Sequence, residues 1–397
     1  MKTIIHKQID TLDKILPKWE TLKEEYREIT VFQDIGWLKS CWEYNKKERN
    51  VSPYIVEVKH DNKAVAIIPL YISYKELAGL NFRVLKPIGS DFSDYSIPIL
   101  SKKYSPEILL RAALKEIYRD KKSWDYIDWG DLPEDTVFDS FLNSNLPDGY
   151  ELAERKRSDM CPFLVLNNDL EKVKGRINEK LLKEIQYLER RLKKEGEIKY
   201  YKVKNENEIE PIMNKFFDLH CERWKNTNTP SEFQDVRERD YVMEAAKNLF
   251  KSNLLYLALL SHNDEIMVVH YGMSDGKRNY LYLHAMNMKY KKYSPGKLFV
   301  YHLILDSCRE GYDIVDFLKG DEGYKHKWGT SDKYNVRYVL SNHSIRSILF
   351  KKIYRTYYSK MFIQRTKIEQ ILSKLVIRST VLLLMLTKKL KANKGAL

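Results

Sequence analysis

Titratable and aromatic side chains are most crowded in residues 316–329, which read DFLKGDEGYKHKWG. The segment begins at Asp316, directly after a short apolar run that predicts a buried strand. Polar side chains at the carboxyl end of an α/β strand are where ligand clefts form. We therefore interpret Glu322, Tyr324 and Lys325 as part of a binding site, the alternative being a solvated loop.

A second candidate lies between a predicted strand and a predicted helix, at Ser294-Pro-Gly296. Exposed backbone N–H groups, the positive end of the helix, a glycine that allows close approach and three lysines, Lys291, Lys292 and Lys297, suit an anion such as a pyrophosphate. A plain strand-to-helix turn would use the same proline and glycine only to set backbone angles. Both interpretations stay open on these residues alone.

The third candidate is residues 90–95, Ser-Asp-Phe-Ser-Asp-Tyr, in the loop after a strand predicted at residues 82–88. Its aspartates could bind a ligand or form Asx-turns. The chain has no G-x-S-x-G, Walker, H-E-x-x-H or G-x-G-x-x-G motif, and its nine histidines have no metal-ligand spacing. Covalent and metal-assisted mechanisms are therefore disfavoured.

The elements around these candidates recur in the same order about 200 residues apart. Helix-then-hairpin patterns end at residues 53–71 and 254–273, and strand, loop, helix and strand follow at 82–129 and 279–317. This order predicts an α/β protein with mixed sheets, either by domain duplication or by chance recurrence of a common pattern. Between the halves, residues 169–195 predict one charged amphipathic helix, and we place the domain boundary just before it.

Composition limits the class of protein. The 397 residues, 43% of them hydrophobic, predict a globular chain of two domains. No apolar stretch approaches the roughly 20 residues of a membrane span, and the first residues do not resemble a signal peptide, so we expect a cytoplasmic protein. The four cysteines form no CxxC pair, which predicts reduced core thiols.

Most of the net charge lies at the end of the chain. Residues 345–397 contain 13 lysines and arginines but a single acidic residue, Glu369, and so carry +12 of the total +14. Apolar residues recur there at three- and four-residue intervals, which predicts a basic amphipathic helix. We expect this tail to bind an anionic membrane surface, unless its apolar stripe packs on the body. The nearly balanced body shows no nucleic-acid-binding motif, so nucleic acid is not an expected partner.

Together these segments resemble one family, the GNAT-superfamily acetyltransferases found in cellulose and exopolysaccharide biosynthesis clusters. That family is related to the aminoacyltransferases that build peptidoglycan cross-bridges. The resemblance covers about residues 5–338 and is most specific in its last motif. The segments that carry it are residues 31–38, 93–95, 190–191 with Gly196, 219–224, 294–296 and 316–325.

The resemblance implies two tandem GNAT-like domains, residues 1–166 and 167–340, followed by the basic helical tail at 341–397. It implies transfer of an acetyl or longer acyl group from coenzyme A directly to an amine and without a metal, with an acyl-CoA, in the first place acetyl-CoA, as the co-substrate. The implied acceptor is an amino sugar carried by a nucleotide or lipid, used in cell-surface polysaccharide biosynthesis at the inner face of the membrane.

The resemblance also implies roles for individual residues. Asp94 would be the base or the anchor of the acceptor, Tyr324 a proton donor and Lys325 a charge stabiliser. The implied coenzyme A ligands are the backbone of His284, Ala285 and Met286 and the loop of Ser294, Pro295, Gly296 and Lys297. The implied acceptor ligands are Asp91, Tyr95, Arg191, Arg223, Trp224, Asp316 and Glu322.

Two rival functions stay open. The first is an aminoacyl-tRNA-dependent transferase of the cross-bridge type, which would make tRNA a partner. The second is a non-catalytic module that binds a polysaccharide-synthesis assembly. The Ser-Pro-Gly loop departs from the glycine-rich, arginine-started loop of standard GNAT enzymes. The donor therefore stays open between acetyl-CoA, a longer acyl-CoA and aminoacyl-tRNA.

Overall fold

The computed structural model describes residues 1–47, 50–167 and 169–361, with side chains in the last helix described up to residue 355. Its strands are β1 (Lys2–His6), β2 (Ser52–His60), β3 (Lys63–Leu77), β4 (Leu80–Pro87), β5 (Ile99–Leu100), β6 (Tyr126–Pro133), β7 (Glu151–Val165), β8 (Ile198–Lys202), β9 (Leu255–His262), β10 (Glu265–Ser274), β11 (Arg278–Met286), β12 (Ile314–Asp316) and β13 (Ser331–Ser341).

The helices cover both faces of these strands. They are α1 (Leu12–Ile15), α2 (Trp19–Glu25), α3 (Ile35–Asn45), α4 (Pro106–Arg119), α5 (Val137–Ser144), α6 (Leu170–Arg176), α7 (Glu179–Glu195), α8 (Ile209–Trp224), α9 (Val236–Lys251), α10 (Pro295–Arg309), α11 (Gly323–His326) and α12 (Ile345–Met361). Short 3-10 helices include Val31–Gln33, Glu232–Gln234 and Met288–Tyr293.

All the strands join one mixed sheet in the order β1-β2-β3-β4-β6-β13-β7-β12-β11-β10-β9-β8, with β5 paired to β3. The β4–β6 and β11–β12 pairs are parallel, and the other neighbours are antiparallel. Each half contributes an antiparallel set followed by a parallel strand that returns over a helix. The predicted α/β class with mixed sheets is confirmed.

The two halves exchange their last strands. Strand β7 of the first half pairs with β12 of the second, and β13 of the second half pairs with β6 of the first. Strands β7 and β13 also pair with each other along most of their length. Each half-sheet is therefore completed by a strand of the other half. The predicted boundary between residues 166 and 167 lies between the end of β7 at Val165 and the start of α6 at Leu170.

The prediction of one helix over residues 169–195 is wrong. The segment forms two helices, α6 and α7, because Ile177 has extended backbone angles and ends the first. Asn178 then begins the second, its side chain accepting the N–H of Leu181 at 3.2 Å. Asparagine favours this capping position over a helix interior, so the sequence contained the signal for the break.

Helices α3 and α9, from opposite halves, pack against each other and share one core. The side chain of Asn248 donates to Ser40 Oγ at 3.0 Å, and the hydroxyl of Tyr241 lies 3.5 Å from Cys41 Sγ. All four cysteines are free thiols, two of them buried. The shared core fixes the loops of one half against the strands of the other.

The start of the predicted tail packs on the body. In α12, Phe350, Ile353 and Tyr354 are buried, and the Phe350 ring stacks on Tyr126 with 3.7 Å between centroids. Residues 362–397 lie outside the described residues, so a membrane role for them stays a prediction. Within residues 1–47, 50–167 and 169–361, no helix is long and apolar enough to cross a membrane.

Candidate functional site

Strands β11 and β12 separate after a short common stretch. They pair from Arg278 to Tyr280, whereas β11 continues along β10 as far as Met286. A bulge marks the separation, since two residues of β11, Leu281 and Tyr282, stand opposite a single residue of β10. The second half of β11 therefore borders an opening in the sheet.

The opening exposes backbone amides of β11. The N–H of Asn287 donates to the carbonyl of Met267 on the β10 side at 2.8 Å. Because amides alternate in direction along an antiparallel strand, those of His284 and Met286 point away from β10, into the opening. Backbone donors held in this way can stabilise a carbonyl oxygen that gains negative charge.

Helix α10 begins at the end of this opening. Ser294 has a left-handed backbone (φ 47°), Pro295 is the first helical residue, and Gly296 follows it. A Cβ at Gly296 would lie 2.7 Å from Met286 Sδ, so a side chain there would displace Met286. The turn therefore brings a positive helix end close to β11, as the Ser-Pro-Gly prediction required.

A cavity of about 620 Å³ occupies this region and is called the donor cavity. Four cations line it, against one carboxylate, that of Glu322. Its apolar walls include Met286 and Trp328. The cations are Arg223, Lys291, Lys297 and Lys327. The surplus of positive charge, the apolar walls and the helix end suit an elongated anionic ligand such as coenzyme A.

A second cavity of about 500 Å³, called the acceptor cavity, adjoins the first. His284, Glu322 and Tyr324 line both cavities. The acceptor cavity is formed by both halves of the chain, since the loop with Asp91 and Asp94 closes one side of it. A ligand in each cavity would meet at the wall that the cavities share.

Asp94 is buried in the acceptor cavity and faces Lys319. Its carboxylate accepts the Lys319 N–H at 3.1 Å and lies 3.4 Å from the Lys319 ammonium. Burial raises the pKa of Asp94 above its ordinary value, while Lys319 opposes the rise. Asp131 bonds the same ammonium at 3.2 Å, and burial raises its pKa to about 7. The structure thus places Asp94 in the lining of the acceptor cavity, bonded to Lys319.

Tyr324 lies in the wall between the two cavities. Burial and the neighbouring Glu322 raise the pKa of its hydroxyl to about 12, so the phenol keeps its proton near neutral pH. The hydroxyl makes no hydrogen bond within the described part of the chain. It is therefore available to donate a proton into the site.

Lys325 lies beside the same wall, but its ammonium serves the loop. It donates to the carbonyls of Leu318, Lys319 and Gly320 at 3.3, 2.9 and 3.2 Å and pairs with Glu322 at 3.0 Å. These bonds hold the residues that follow β12 in a tight curve. Its observed contacts are those of a positioning residue.

Two of the predicted acceptor ligands are buried away from both cavities. The Tyr95 hydroxyl donates to Asp316 at 3.0 Å, and Asp316 also binds Lys333 at 2.9 Å. Neither residue lines the donor or the acceptor cavity. Their bond joins the loop of one half to β12 of the other.

The predicted arginines occupy different places. Arg223 and Trp224 line the donor cavity, and no carboxylate of the described residues pairs with the Arg223 guanidinium. Arg191 lies on the surface of α7, over the Tyr293 ring at 5.2 Å and outside both cavities. Of the two predicted arginines, Arg223 therefore lines a cavity and Arg191 lines neither.

His284 is the residue that both cavities share at the opening of β11. Burial lowers the pKa of its imidazole to about 4, with Arg223 and Lys325 adding to the effect, so the ring is neutral at pH 7. Its Nδ1 is buried and has no hydrogen-bond partner in the part of the chain that the structure describes. In the described residues, no cluster of three or more potential ligands could hold a metal ion.

Several residues of the acceptor cavity were not predicted from the sequence. They are Phe92, Glu232, Phe233, Glu238, Tyr241, Tyr282 and Lys319. One signal was available, since Phe-Gln-Asp occurs at residues 32–34 and again at 233–235. Both copies end a 3-10 helix, and the aspartate of each caps the next helix. The repeat marks equivalent turns, one of which borders the acceptor cavity.

Comparison with known proteins agrees with this fold. Residues 179–326 match a family model described as an acetyltransferase (GNAT) domain. The sequences of curated proteins give no significant match. The solved structure of FemX aligns with a TM-score of 0.60 and 11% identity, over 89% of this chain and 100% of that one. A conserved protein of unknown function from Bacteroides thetaiotaomicron aligns with a TM-score of 0.54 and 12% identity, over 85% and 100%.

These likenesses concern the fold. The matched residues 179–326 contain β11, the opening and the start of α10. The first half repeats the same order of elements, so the chain has two tandem GNAT-like domains, as predicted. The match of residues 179–326 to an acetyltransferase (GNAT) domain supports acyltransferase activity for this protein.

Proposed function

We propose that this protein is an N-acyltransferase that moves an acetyl or longer acyl group from coenzyme A to an amine. The opposite charge of two adjoining cavities carries the proposal. The donor cavity has four cations, of which Lys297 is paired with Glu184, and one carboxylate, whereas the acceptor cavity has five carboxyl groups, of which Asp91 is paired with Lys86, and two lysines. Coenzyme A is anionic and an amine is cationic at neutral pH, so each suits one cavity.

The residues present fit coenzyme A. The N-terminus of α10, with Gly296 and Lys297, would hold its pyrophosphate, and the apolar wall would hold the pantetheine arm. When bound, coenzyme A supplies an activated thioester. The amides of His284 and Met286 would stabilise the carbonyl oxygen as the C–N bond forms.

Proton transfers complete the proposed mechanism. Asp94 takes the proton that the bound ammonium must lose before the amine attacks, directly or through a water, and its raised pKa makes it a better base than an exposed aspartate. Tyr324 donates a proton to the sulfur as the C–S bond breaks and regains one from the second proton that the nitrogen loses as the amide forms. No side chain needs to become acylated, because the bound amine attacks directly.

The finer part of the proposal concerns the acceptor and its place in the cell. We propose an amino sugar carried by a nucleotide or lipid and used for a cell-surface polysaccharide, as the resemblance of residues 316–325 implies. The protein would act in the cytoplasm at the inner face of the membrane. Its basic residues 362–397 would hold it there by attraction to anionic lipid.

The reaction is tested by release of free thiol from acetyl-CoA and longer acyl-CoAs. Glucosamine and UDP-glucosamine are the acceptors, and glucose and UDP-glucose, which replace the amine by a hydroxyl, are the matched controls. Thiol release with the amino sugars alone supports the proposal. Transfer from charged tRNA without thiol release would favour the cross-bridge alternative, and binding of acyl-CoA without turnover of any amine would favour a non-catalytic module.

The membrane role needs a truncation that spares the body. Removal from residue 345 would strip Phe350 and Ile353 from their core, so the chain should instead end at Met361. The full chain is expected to sediment with anionic vesicles, less at high salt and not with neutral vesicles, because each basic residue contributes about 1 kcal/mol near anionic lipid. Equal sedimentation of the shortened chain would reject the role of residues 362–397.

A further inference from the structure

The acceptor cavity has more negative charge than one ammonium group requires. The carboxyl-bearing residues that line it are Asp91, Asp94, Glu232, Glu238 and Glu322. The two lysines that line it are already paired, Lys319 with Asp94 and Lys325 with Glu322. Asp91 is paired with Lys86 at 2.9 Å, from outside the cavity lining, so a monoamine that reacts near Asp94 would leave Glu232 and Glu238 without a cation.

Glu232 and Glu238 are the carboxylates least compensated by the protein. Neither forms an ion pair with any described residue, and Glu238 accepts a hydrogen bond from the Tyr44 hydroxyl. The backbone that carries them is anchored, since Ser231 caps the short helix of Glu232 by accepting the Phe233 N–H at 3.1 Å and Glu238 lies in the first turn of α9. Two carboxylates beside a cavity attract a cationic ligand.

Aromatic rings line the same side of the cavity. Phe92 and Tyr241 lie with 4.4 Å between their ring centroids, and Phe233 and Tyr282 line the wall as well. Aromatic faces bind ammonium groups and also stack on sugar rings. Carboxylates combined with aromatic rings therefore suit a cationic organic ligand better than a metal ion or an anion.

A second, independent feature marks the reacting end of the cavity. The buried Nδ1 of His284 has no hydrogen-bond partner among the described residues, although His284 lines the cavity where it meets the donor cavity. A buried polar atom without a partner loses free energy unless a ligand or water satisfies it. Because the imidazole is neutral, it does not repel a cation.

We infer that the acceptor is an amino sugar with a second positive charge, whose reacting amine lies between Asp94 and His284 and whose second ammonium is held by Glu232 and Glu238. This inference rests on the proposed function, which supplies the acyl-transfer reaction. The second positive charge of the acceptor is inferred from the carboxylates of the acceptor cavity. A phosphate group in the same cavity would face uncompensated carboxylates. Any diphosphate carrier of the sugar must therefore lie outside it.

Three acceptors that differ only at carbon 6 test the inference with acetyl-CoA as donor. Glucosamine has a hydroxyl there, 2,6-diamino-2,6-dideoxyglucose an ammonium and glucosamine 6-phosphate a phosphate. We expect kcat/KM to be highest for the diamino sugar, by about tenfold over glucosamine, and lowest for the phosphate, since a charge-assisted hydrogen bond contributes at least that factor. Equal or faster turnover of the phosphate would overturn the inference.

The double variant Glu232→Gln with Glu238→Gln tests which residues hold the second charge. It should reduce the preference for the diamino sugar over glucosamine to about onefold. The matched control is Glu206→Gln, an exposed carboxylate outside the cavity, which should keep the tenfold preference. A preference that survives in the double variant contradicts the inference.

Equilibrium binding separates this inference from the proposed function. Calorimetry with the diamino sugar and the full chain, in the absence of acyl-CoA, should show binding that the double variant loses. That result without thiol release from any acyl-CoA would reject acyl transfer and keep the inference about charge. Thiol release with glucosamine, but no preference for the diamino sugar in binding or turnover, would keep acyl transfer and reject the inference about charge.

Discussion

The two halves of the chain contain the same parallel strand pair, yet a large cavity is open at only one of these pairs. Strand β11 continues for six residues beyond its last pair with β12, whereas β4 ends two residues beyond its last pair with β6. The gap beside β4 retains a cavity of about 20 Å³, against about 620 Å³ beside β11. The two halves therefore share the same arrangement of strands, but the cavities beside their parallel strand pairs differ in volume.

Side-chain volume closes the gap in the first half. Trp129 follows the short strand motif Ile127-Asp128, as Phe317 follows Val315-Asp316. The Trp129 indole is buried and donates to the Ser96 carbonyl at 2.8 Å, which draws the loop after β4 into the gap. Phe317 instead lines the acceptor cavity. In the first half, therefore, the larger ring of Trp129 and its hydrogen bond to Ser96 fill the gap with core side chains.

The helices that begin beside the two gaps differ in one residue of their opening sequence. Helix α4 begins after Ser105 with Pro106-Glu107, and α10 begins after Ser294 with Pro295-Gly296. The glutamate places a negative charge at the positive helix end, where an anionic ligand would have to bind. Under the proposed function, the second half supplies the helix start that binds the donor, and the first half supplies Asp94 to the acceptor cavity.

The largest effect is expected for Asp94→Asn, which tests the contribution of the first half to catalysis. Asparagine keeps a hydrogen-bond acceptor for Lys319 but cannot take a proton. We expect kcat to fall by about 10² to 10⁴, the usual contribution of a positioned base, with acyl-CoA binding and melting temperature nearly unchanged. An active Asp94→Asn protein would show that the loop only closes the cavity.

Trp129→Ala reopens the filled gap. Removing a buried tryptophan and its hydrogen bond to Ser96 should lower the free energy of unfolding by about 3–5 kcal/mol, measured by denaturant titration. Acyl-CoA binding in the other half should persist, because Trp129 does not line the donor cavity. A change below 1 kcal/mol would mean that the gap is closed by the loop alone.

Gly296→Glu copies the first half's helix start into the second. The new carboxylate would face the pyrophosphate and displace Met286, so affinity for acyl-CoA should fall about 100-fold, measured by calorimetry. Glu107→Gly is the reciprocal control. It removes only an exposed pair with Arg111 and should leave acyl-CoA affinity as in the native chain. Retained affinity in Gly296→Glu would place the pyrophosphate elsewhere.

The smallest effect concerns the contact between the halves at Asp131 and Lys319. Because burial raises the pKa of Asp131 to about 7, its contribution to stability is fully present below the ordinary aspartate value of about 4 and is lost as pH rises through 7. The melting temperature should therefore fall more steeply between pH 4 and 7 in the native chain than in Asp131→Asn, by about 2–4 °C. Parallel profiles would show that Asp131 is ionised throughout.

Local patterns were sufficient for most elements. The alternating residues of the two hairpins, the helix expected within residues 82–129 and the Ser-Pro-Gly start of α10 each predicted the element that the structure contains. The break at Asn178 was missed because apolar residues continue at helical spacing beyond it. At such a break the preference of asparagine for the helix N-cap outweighs the periodic spacing of apolar residues.

Residue roles at the site were harder to predict, since they depend on direction rather than type. Lys325 and Tyr95 carry the side chains expected of ligands, but the first turns back to three carbonyls and the second bonds a buried aspartate. Glu232 and Glu238 follow no recognisable motif, and they reach the acceptor cavity because α9 packs on α3 of the other half. The spacing of residues in the sequence does not predict that α9 packs on α3.

The sequence by itself determined the order of strands and helices, the helix start that suits an anion, and the concentration of basic residues at the end of the chain. Each of these depends on neighbours within a few residues, where backbone preference and charge act directly. Only the tertiary structure decided that β7 and β13 change places, that Trp129 fills one opening, and that Asp94 crosses to the other. Those outcomes depend on which side chains occupy a shared volume, and that volume exists only when residues more than 200 positions apart are packed together.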